Sequence, residues 1–94
     1  MAFLIDINRD VTEVEPKNGE NFTLEELYAL IGCDMIQICD AHERGKILIF
    51  DEEGMLKDLP VNTEATLGMH EDMMPFVFNA IYGKAVMCKS GELR

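Results

Sequence analysis

The chain opens with apolar and polar residues in a period close to two, which is typical of a β-strand with one polar face. Phe3, Ile5 and Ile7 alternate with less apolar neighbours over residues 2–8. Turn-forming residues follow at 8–10, and residues 11–15 again have strand composition up to Pro16. The pattern therefore predicts two strands joined as a β-hairpin.

A helical period replaces the strand period after residue 22. Apolar side chains recur at three- and four-residue spacing, at Leu24, Leu27, Tyr28 and Ile31. The preceding Thr23 and the later Glu26 have the spacing of a capping box, in which each side chain binds the other residue's backbone amide. Gly32 suits the left-handed position that ends a helix. We predict a helix over residues 24–31.

The second half of the chain predicts further strands and one short helix. Residues 34–39 and 46–51 have strand composition and flank a polar hairpin loop at 40–45. Four consecutive large apolar residues at 47–50 require burial on both faces, so that strand is expected in the interior of the sheet. A tight turn is predicted at 52–54 and a short extended piece at 55–57. Asn62 or Thr63 can cap a short helix over 63–67, and residues 81–88 predict a final strand.

These elements indicate an α+β fold: a mostly antiparallel sheet of four or five strands, with one or two short helices packed on it. A chain of 94 residues is expected to form a single domain, 1–94.

The charge balance narrows the possible partners. Eighteen acidic residues against eight basic ones give a net charge of −10, which disfavours direct binding to nucleic acid or to an anionic membrane. No apolar stretch approaches the length of a membrane span, and Asp6 interrupts the apolar start, so we expect a cytoplasmic protein. The acidic surface is interpreted as a source of solubility, with mimicry of nucleic acid as the alternative.

Candidate chemistry is sparse. Three cysteines without an export signal are expected to stay as thiols. Cys39-x-x-His42, with Cys33 or Cys88, is one pair of zinc-ligand type where a structural site normally has two. We therefore expect no metal, no cofactor and no catalytic residue. Residues 51–53 are interpreted as a solvated acidic turn, and the second histidine, His70, as an exposed loop residue.

Three short motifs occur along the chain in an order that is similar to that of a known protein family. The first motif is Leu24-Glu25-Glu26-Leu27, followed by Ile31-Gly32. The second is Asp51-Glu52-Glu53-Gly54, followed by Lys57 and Leu59-Pro60-Val61-Asn62. The third is Ile81-Tyr82-Gly83, which precedes an apolar strand. Over residues 22–88 the chain resembles a family of small uncharacterised proteins of bacteria, phages and mobile elements, a domain of unknown function. Cys33 stands where that pattern has a second glycine. The resemblance implies a phage or mobile-element setting, implies no activity, and directs attention to residues 59–62.

The function expected from these observations is that of a non-enzymatic accessory or protein-interaction protein of phage or mobile-element type, and a homodimeric state is left open. One alternative is an acidic nucleic-acid mimic that inhibits a DNA-binding host protein. Another is a small-ligand protein that binds a nucleotide signal. Asn62 is the candidate ligand-binding residue, and capping of the next helix is the alternative role for it. The Met69, Met73, Met74, Phe76 and Phe78 group is expected either to complete the core or to form a flexible contact surface.

Overall fold

The fold is an antiparallel sheet with one helix on each face. The structure, a computed structural model, describes residues 2–41, 43–54, 56–68 and 80–92. The strands are β1 (Ala2–Ile5), β2 (Val11–Val14), β3 (Ile36–Asp40), β4 (Lys46–Asp51) and β5 (Ala85–Lys89). The helices are α1 (Leu24–Ile31) and α2 (Thr63–Leu67), and a 3₁₀ turn (Ser90–Glu92) follows β5. The predicted α+β class is confirmed.

The last strand occupies the middle of the sheet. The strand order is β2-β1-β5-β4-β3, and every neighbouring pair is antiparallel. β5 therefore joins the β1–β2 hairpin to the β3–β4 hairpin, while β2 and β3 form the two edges. β4 lies in the interior, as its run of apolar residues predicted.

Helix α1 begins and ends where the sequence predicted. The Thr23 hydroxyl accepts from the Glu26 amide, and the Glu26 carboxylate accepts from the Thr23 amide, which completes the capping box. Gly32 follows at φ 81°, and its amide donates to the Tyr28 carbonyl. Because the αL conformation disfavours any residue with a Cβ, this glycine ends the helix sharply.

Two apolar clusters occupy the two faces of the sheet. We call the face covered by helix α1 the α1 face; its buried residues are Ala2, Phe22, Leu27, Ile31, Ile47, Ile49, Val86 and Cys88. The opposite face, the α2 face, buries Ile5, Cys39, Ala41, Leu48, Phe50, Ala65, Ile81 and Ala85. Successive residues of a strand point to opposite faces, so the apolar run of β4 supplies both clusters.

Three sequence predictions need correction. Residues 56–58 form turns and not an extended piece: the Lys57 amide donates to the Glu53 carbonyl, and Asp58 has φ 56°. The first strand stops at Ile5, because the Asp6 carboxylate accepts the Ile7 amide and turns the chain. The final strand begins at Ala85, after a left-handed Gly83 at φ 82°.

The predicted core or contact group of methionines and phenylalanines at 69–78 lies outside the described residues. Of the helices that the structure describes, none is both long enough and apolar enough to cross a membrane.

Candidate functional site

Parts of two of the motifs that carry the family resemblance meet where the segment before α2 pairs with the segment before β5. We call this region, residues 59–62 and 81–83, the motif corner. Its two segments run antiparallel: the Asn62 amide donates to the Ile81 carbonyl at 2.7 Å, and the Gly83 amide donates to the Pro60 carbonyl at 2.9 Å. Val61 and Tyr82 form the bridge between these bonds. The corner is thus a short antiparallel pair of segments held together by backbone hydrogen bonds.

Asn62 connects three parts of the chain through its side-chain amide. The residue is fully buried. Its nitrogen donates to the carbonyls of Ile5, at 2.9 Å, and Gly83, at 2.8 Å, while its oxygen accepts from the Ala65 amide at 3.1 Å. Asn62 is therefore the N-cap of α2 and also ties that helix to the end of β1 and the start of β5. With both donors bound to protein carbonyls, its contact with a ligand stays a prediction.

Two glycines allow the close packing of the motif corner. A Cβ at Gly54 would lie 2.7 Å from the Tyr82 carbonyl oxygen. A Cβ at Gly83 would lie 2.8 Å from Cδ1 of Leu59, and Gly83 also has positive φ. Real Cβ atoms do not approach backbone oxygens this closely, so the chain needs glycine at position 54 for space, whereas at position 83 it needs glycine for the positive φ. The short motifs therefore specify how the chain packs at this corner.

The cysteines of the candidate zinc site lie on opposite faces of the sheet. Cys39 belongs to the α2-face cluster, whereas Cys88 belongs to the α1-face cluster and Cys33 packs against it. His42 lies outside the described residues. Within the described part of the chain, no group of three or more His, Cys, Asp and Glu side chains is placed to hold a metal ion. The sheet therefore separates Cys39 from the other two cysteines.

Burial suppresses the reactivity of two of these thiols. Desolvation, with a smaller contribution from the Asp40 carboxylate, raises the pKa of Cys39 to about 11. Desolvation and the nearby Asp51 carboxylate also raise the pKa of Cys33. The three cysteines are thiols that are not joined in disulfides. Because the thiolate is the nucleophile and the metal ligand, Cys33 and Cys39 are poorly suited to either role at neutral pH.

The acidic turn after β4 is less solvated than the sequence predicted. The Asp51 side chain is only 1% exposed; it accepts from the Glu53 amide at 2.9 Å and pairs with Lys57 Nζ at 2.9 Å. This hydrogen bond raises the pKa of Lys57 above its ordinary value. Glu52 is exposed, as expected. The interpretation of residues 51–53 as a solvated turn was wrong for Asp51, which joins the turn at 51–54 to the turn at 56–58.

The outer side of β3 forms one edge of the described sheet. The Glu52 amide donates to the Met35 carbonyl, and the Ala41 amide donates to the Lys46 carbonyl. Hydrogen-bonded pairs alternate along an antiparallel ladder, so odd-numbered residues of β3 bond to β4. The backbone groups of Ile36, Ile38 and Asp40 point the other way. In the described sheet β3 has no neighbour on that side. We call these three residues the open edge.

Two apolar side chains at this edge of the sheet are partly exposed. Met35 is 48% exposed and Ile38 is 42% exposed. Residues 36–39 contain no charge, and exposed carboxylates stand at the two ends, on Asp34 and Asp40. A run of uncharged residues on an edge strand, with amides and carbonyls that face outward, is a template for pairing with another extended chain.

Comparison with known protein families identifies the family of the chain. The model of a family described as a domain of unknown function, DUF3846, matches residues 2–93. The chain belongs to the DUF3846 family. This confirms the resemblance to a domain of unknown function and extends it from residues 22–88 to nearly the whole chain. Neither the curated proteins nor the solved structures include a match to this DUF3846 chain.

Sequence reasoning missed the open edge of this DUF3846 domain. Residues 34–39 predicted a strand, but a strand at the edge of a sheet and one in its interior have the same local composition. The absence of charge between Asp34 and Asp40 was the available signal, since edge strands are usually protected by charged residues, proline or bulges.

Proposed function

We propose that this DUF3846 domain is a non-enzymatic, cytoplasmic accessory protein of a phage or mobile element, and that it binds a partner protein at the open edge. The partner contributes an extended segment that adds to the sheet beside β3. The observation that carries the proposal is the outward-facing backbone of Ile36, Ile38 and Asp40, on a strand that has no charge over residues 36–39 and has an exposed apolar side chain at Ile38. The resemblance to phage and mobile-element proteins supports the setting.

Strand addition uses both the backbone groups and the side chains of the open edge. Main-chain hydrogen bonds to an added strand supply affinity, and alternate side chains supply specificity. The Ile38 side chain lies on the α1 face and Met35 precedes β3 on the other side, so an added strand can bury apolar side chains on both faces. A partner segment of about five residues with β-branched or aromatic side chains matches β3 in length.

Charge favours a basic segment over a second copy of the chain. The open edge ends in Asp34 and Asp40, and the chain has a net charge of −10. Two copies paired through β3 would place these carboxylates close together and repel each other. A segment with lysine or arginine at its ends would instead meet opposite charge. Electrostatic attraction of this kind accelerates association and selects the partner.

The placement of carboxylates does not favour mimicry of nucleic acid. Exposed acidic side chains occur on opposite faces of the sheet: Glu13 lies on β2 opposite Phe3, and Glu25 lies on α1. Others lie on loops, such as Glu43 and Glu52. Imitation of a phosphate backbone requires charges aligned along one face, and the described carboxylates are spread over several.

The experiment compares capture by two immobilised proline variants with capture by the unmodified protein. Ile38→Pro removes an outward amide of the open edge. Val11→Pro is the matched control on β2: the Asp6 amide donates to the Asp10 carbonyl, so by alternation the Val11 amide also points outward. We expect at least one protein from a lysate of the cells that carry the gene to be retained by the unmodified protein and by Val11→Pro, and to be lost from Ile38→Pro.

Two further measurements complete the test: the dependence of capture on salt concentration and the oligomeric state of the protein. Retention should weaken as ionic strength rises, because the partner segment is basic. Equal capture by Ile38→Pro, or capture that does not depend on salt, would contradict the proposal. Sedimentation of the unmodified protein as a dimer, and of Ile38→Pro as a monomer, would show that the open edge binds a second copy instead.

A further inference from the structure

An open cavity of about 450 Å³ lies where helix α1 ends and the chain turns toward β3. We call it the helix-end cavity. Its lining comes from the last turn of α1, the residues that follow this helix, and one basic side chain of the turn at 56–58: Tyr28, Ala29, Gly32, Cys33, Asp34 and Lys57. A cavity of this volume is large enough to hold a side chain of a binding partner.

Hydrogen bonds hold the walls of the helix-end cavity in place. The Tyr28 carbonyl accepts from the Gly32 amide at 2.8 Å and from the Cys33 amide at 3.1 Å, which fixes the end of α1. On the other side, the Lys57 ammonium donates to the Asp51 carboxylate at 2.9 Å. The cavity is therefore formed by contacts within the chain, before any partner binds.

Negative charge outweighs positive charge around the cavity. The hydrogen bond with Asp51 raises the pKa of Lys57, and the nearby carboxylates of Asp34 and Glu53 raise it further, so three carboxylates surround one ammonium. Asp34 is exposed and forms no ion pair with another described residue. The last turn of α1 contains no basic side chain, so the negative end of the helix dipole adds to this charge. These surroundings favour a cation.

The helix-end cavity adjoins the open edge. Asp34 precedes Ile36, the first residue of the open edge, by two residues, which span about 7 Å in an extended chain. Ile36 packs against the α1-face cluster, as does Cys33 in the cavity wall. A segment that pairs with β3 and continues past Ile36 therefore passes close to the cavity.

We infer that the helix-end cavity binds the guanidinium group of an arginine, and that this arginine lies at one end of the partner segment; its place in the partner rests on the proposed function. The Asp34 carboxylate accepts hydrogen bonds from the guanidinium, whose planar face stacks on the Tyr28 ring. An ammonium group supplies the same charge but no planar face, so lysine uses the aromatic wall less well. The partner segment thus carries arginine beside Asp34, where charge alone would accept either basic residue.

The probe for this site is Nα-acetyl-arginine amide, titrated into isotopically labelled protein and followed by NMR at constant pH and ionic strength. Nα-acetyl-citrulline amide is the control, because it has nearly the same shape without the charge. We expect saturable shifts of the Gly32, Cys33 and Asp34 amides with the arginine derivative only. Asp34→Asn should weaken its binding by about ten-fold, as expected for the loss of a charged hydrogen bond. Glu13→Gln, which removes an exposed charge on β2 at the other edge of the sheet, should leave the affinity unchanged.

Three results would overturn the inference. They are the absence of saturable shifts, equal binding of the citrulline derivative, and equal weakening in Asp34→Asn and Glu13→Gln, since only net charge would then matter. Asp34 is exposed, so the spectrum of Asp34→Asn should retain the dispersion of the folded protein and exclude unfolding as the cause.

The capture experiment tests the place of the arginine in the partner. Asp34→Asn should release the retained protein at lower salt than Glu13→Gln does, and release at the same salt would overturn that place. Loss of capture by Ile38→Pro, with no binding of the arginine derivative to the unmodified protein, would overturn the arginine site alone. Binding of the arginine derivative, with equal capture by Ile38→Pro, would overturn strand addition alone and retain the arginine site.

Discussion

The motif corner and the open edge differ in how the protein uses its polar groups. At the corner, both donors and the oxygen of the buried Asn62 amide are bound within the chain, to Ile5, Gly83 and Ala65. At the open edge, the backbone groups of alternate β3 residues face away from the sheet. The corner contains residues of the family motifs, whereas the open edge contains none of the motif residues.

This difference separates the residues that build the fold from those available for binding. A buried asparagine or glycine that packs against backbone tolerates few replacements, so it produces a recognisable motif. A solvent-facing edge uses main-chain groups, which every residue except proline supplies in full. A motif search therefore identifies the corner and passes over the edge.

The largest effect is expected at the centre of the corner. Asn62→Ala should lower the free energy of unfolding by about 3 kcal/mol, because it removes an N-cap and two buried hydrogen bonds to the Ile5 and Gly83 carbonyls. Urea denaturation measures this change. Asn62→Asp retains the capping oxygen but loses the donors, so it should also be strongly destabilised. A loss from Asn62→Ala no larger than that of an ordinary cap would mean that the bonds to Ile5 and Gly83 contribute nothing.

Gly83→Ala measures the packing of the corner. We expect a loss of about 2 kcal/mol, from the αL backbone together with the clash with Leu59. Gly32→Ala is the matched control, because Gly32 has nearly the same φ but no atom within 4 Å of the added Cβ; its cost should be about 1 kcal/mol. Equal midpoints for the two variants in urea would show that Leu59 moves aside freely.

Thr23→Ala measures the contribution of an N-cap that lacks long-range hydrogen bonds of the kind that Asn62 forms with Ile5 and Gly83. Its hydroxyl accepts from the Glu26 amide at 3.3 Å, within the same helix. The expected loss is about 1 kcal/mol, the usual cost of a side-chain cap. The difference between Asn62→Ala and Thr23→Ala then gives the contribution of the long-range bonds. An unchanged urea midpoint for Thr23→Ala would contradict its role as a cap.

The smallest effect is expected at the open edge. Ile38→Pro should lose less than about 1 kcal/mol, no more than Ile38→Ala, because the amide that it removes has no partner in the sheet. Cys39→Pro removes an amide that bonds to β4 and should cost about 3 kcal/mol or more. Thermal unfolding of the three variants gives the comparison. A large loss in Ile38→Pro alone would show that this amide is already bound within the chain.

Local signals predicted the elements whose causes are local. The bounds of α1 and α2 follow from side-chain caps within three residues of each helix start, at Thr23 and Asn62. β4 was predicted with its observed bounds because its apolar run ends at charged residues, Lys46 and Asp51. The start of β5 was displaced from residue 81 to Ala85, because the segment before it pairs with residues 60–62 instead of joining the sheet.

The candidate sites were less predictable, since each depends on neighbours that are distant in the sequence. Asn62 was identified as a residue of interest, but its bonds to Ile5 and Gly83 span 57 and 21 residues. The opposition of Lys46 and Lys89 depends on the register of β4 against β5. Neither the long-range hydrogen bonds of Asn62 nor the register of β4 against β5 produces a periodic pattern or a motif in the sequence.

The amino-acid sequence thus established an acidic α+β chain, a capped helix α1 and an interior strand β4, because caps, turn residues and apolar periodicity act over a few residues. The relations between distant parts of the chain were determined by the placement of β5 between β1 and β4. That placement makes β3 an edge strand, separates Cys39 from Cys88 across the sheet, and brings Lys46 opposite Lys89. Such relations arise from long-range pairing, whose free energy depends on the whole sheet and not on any one segment.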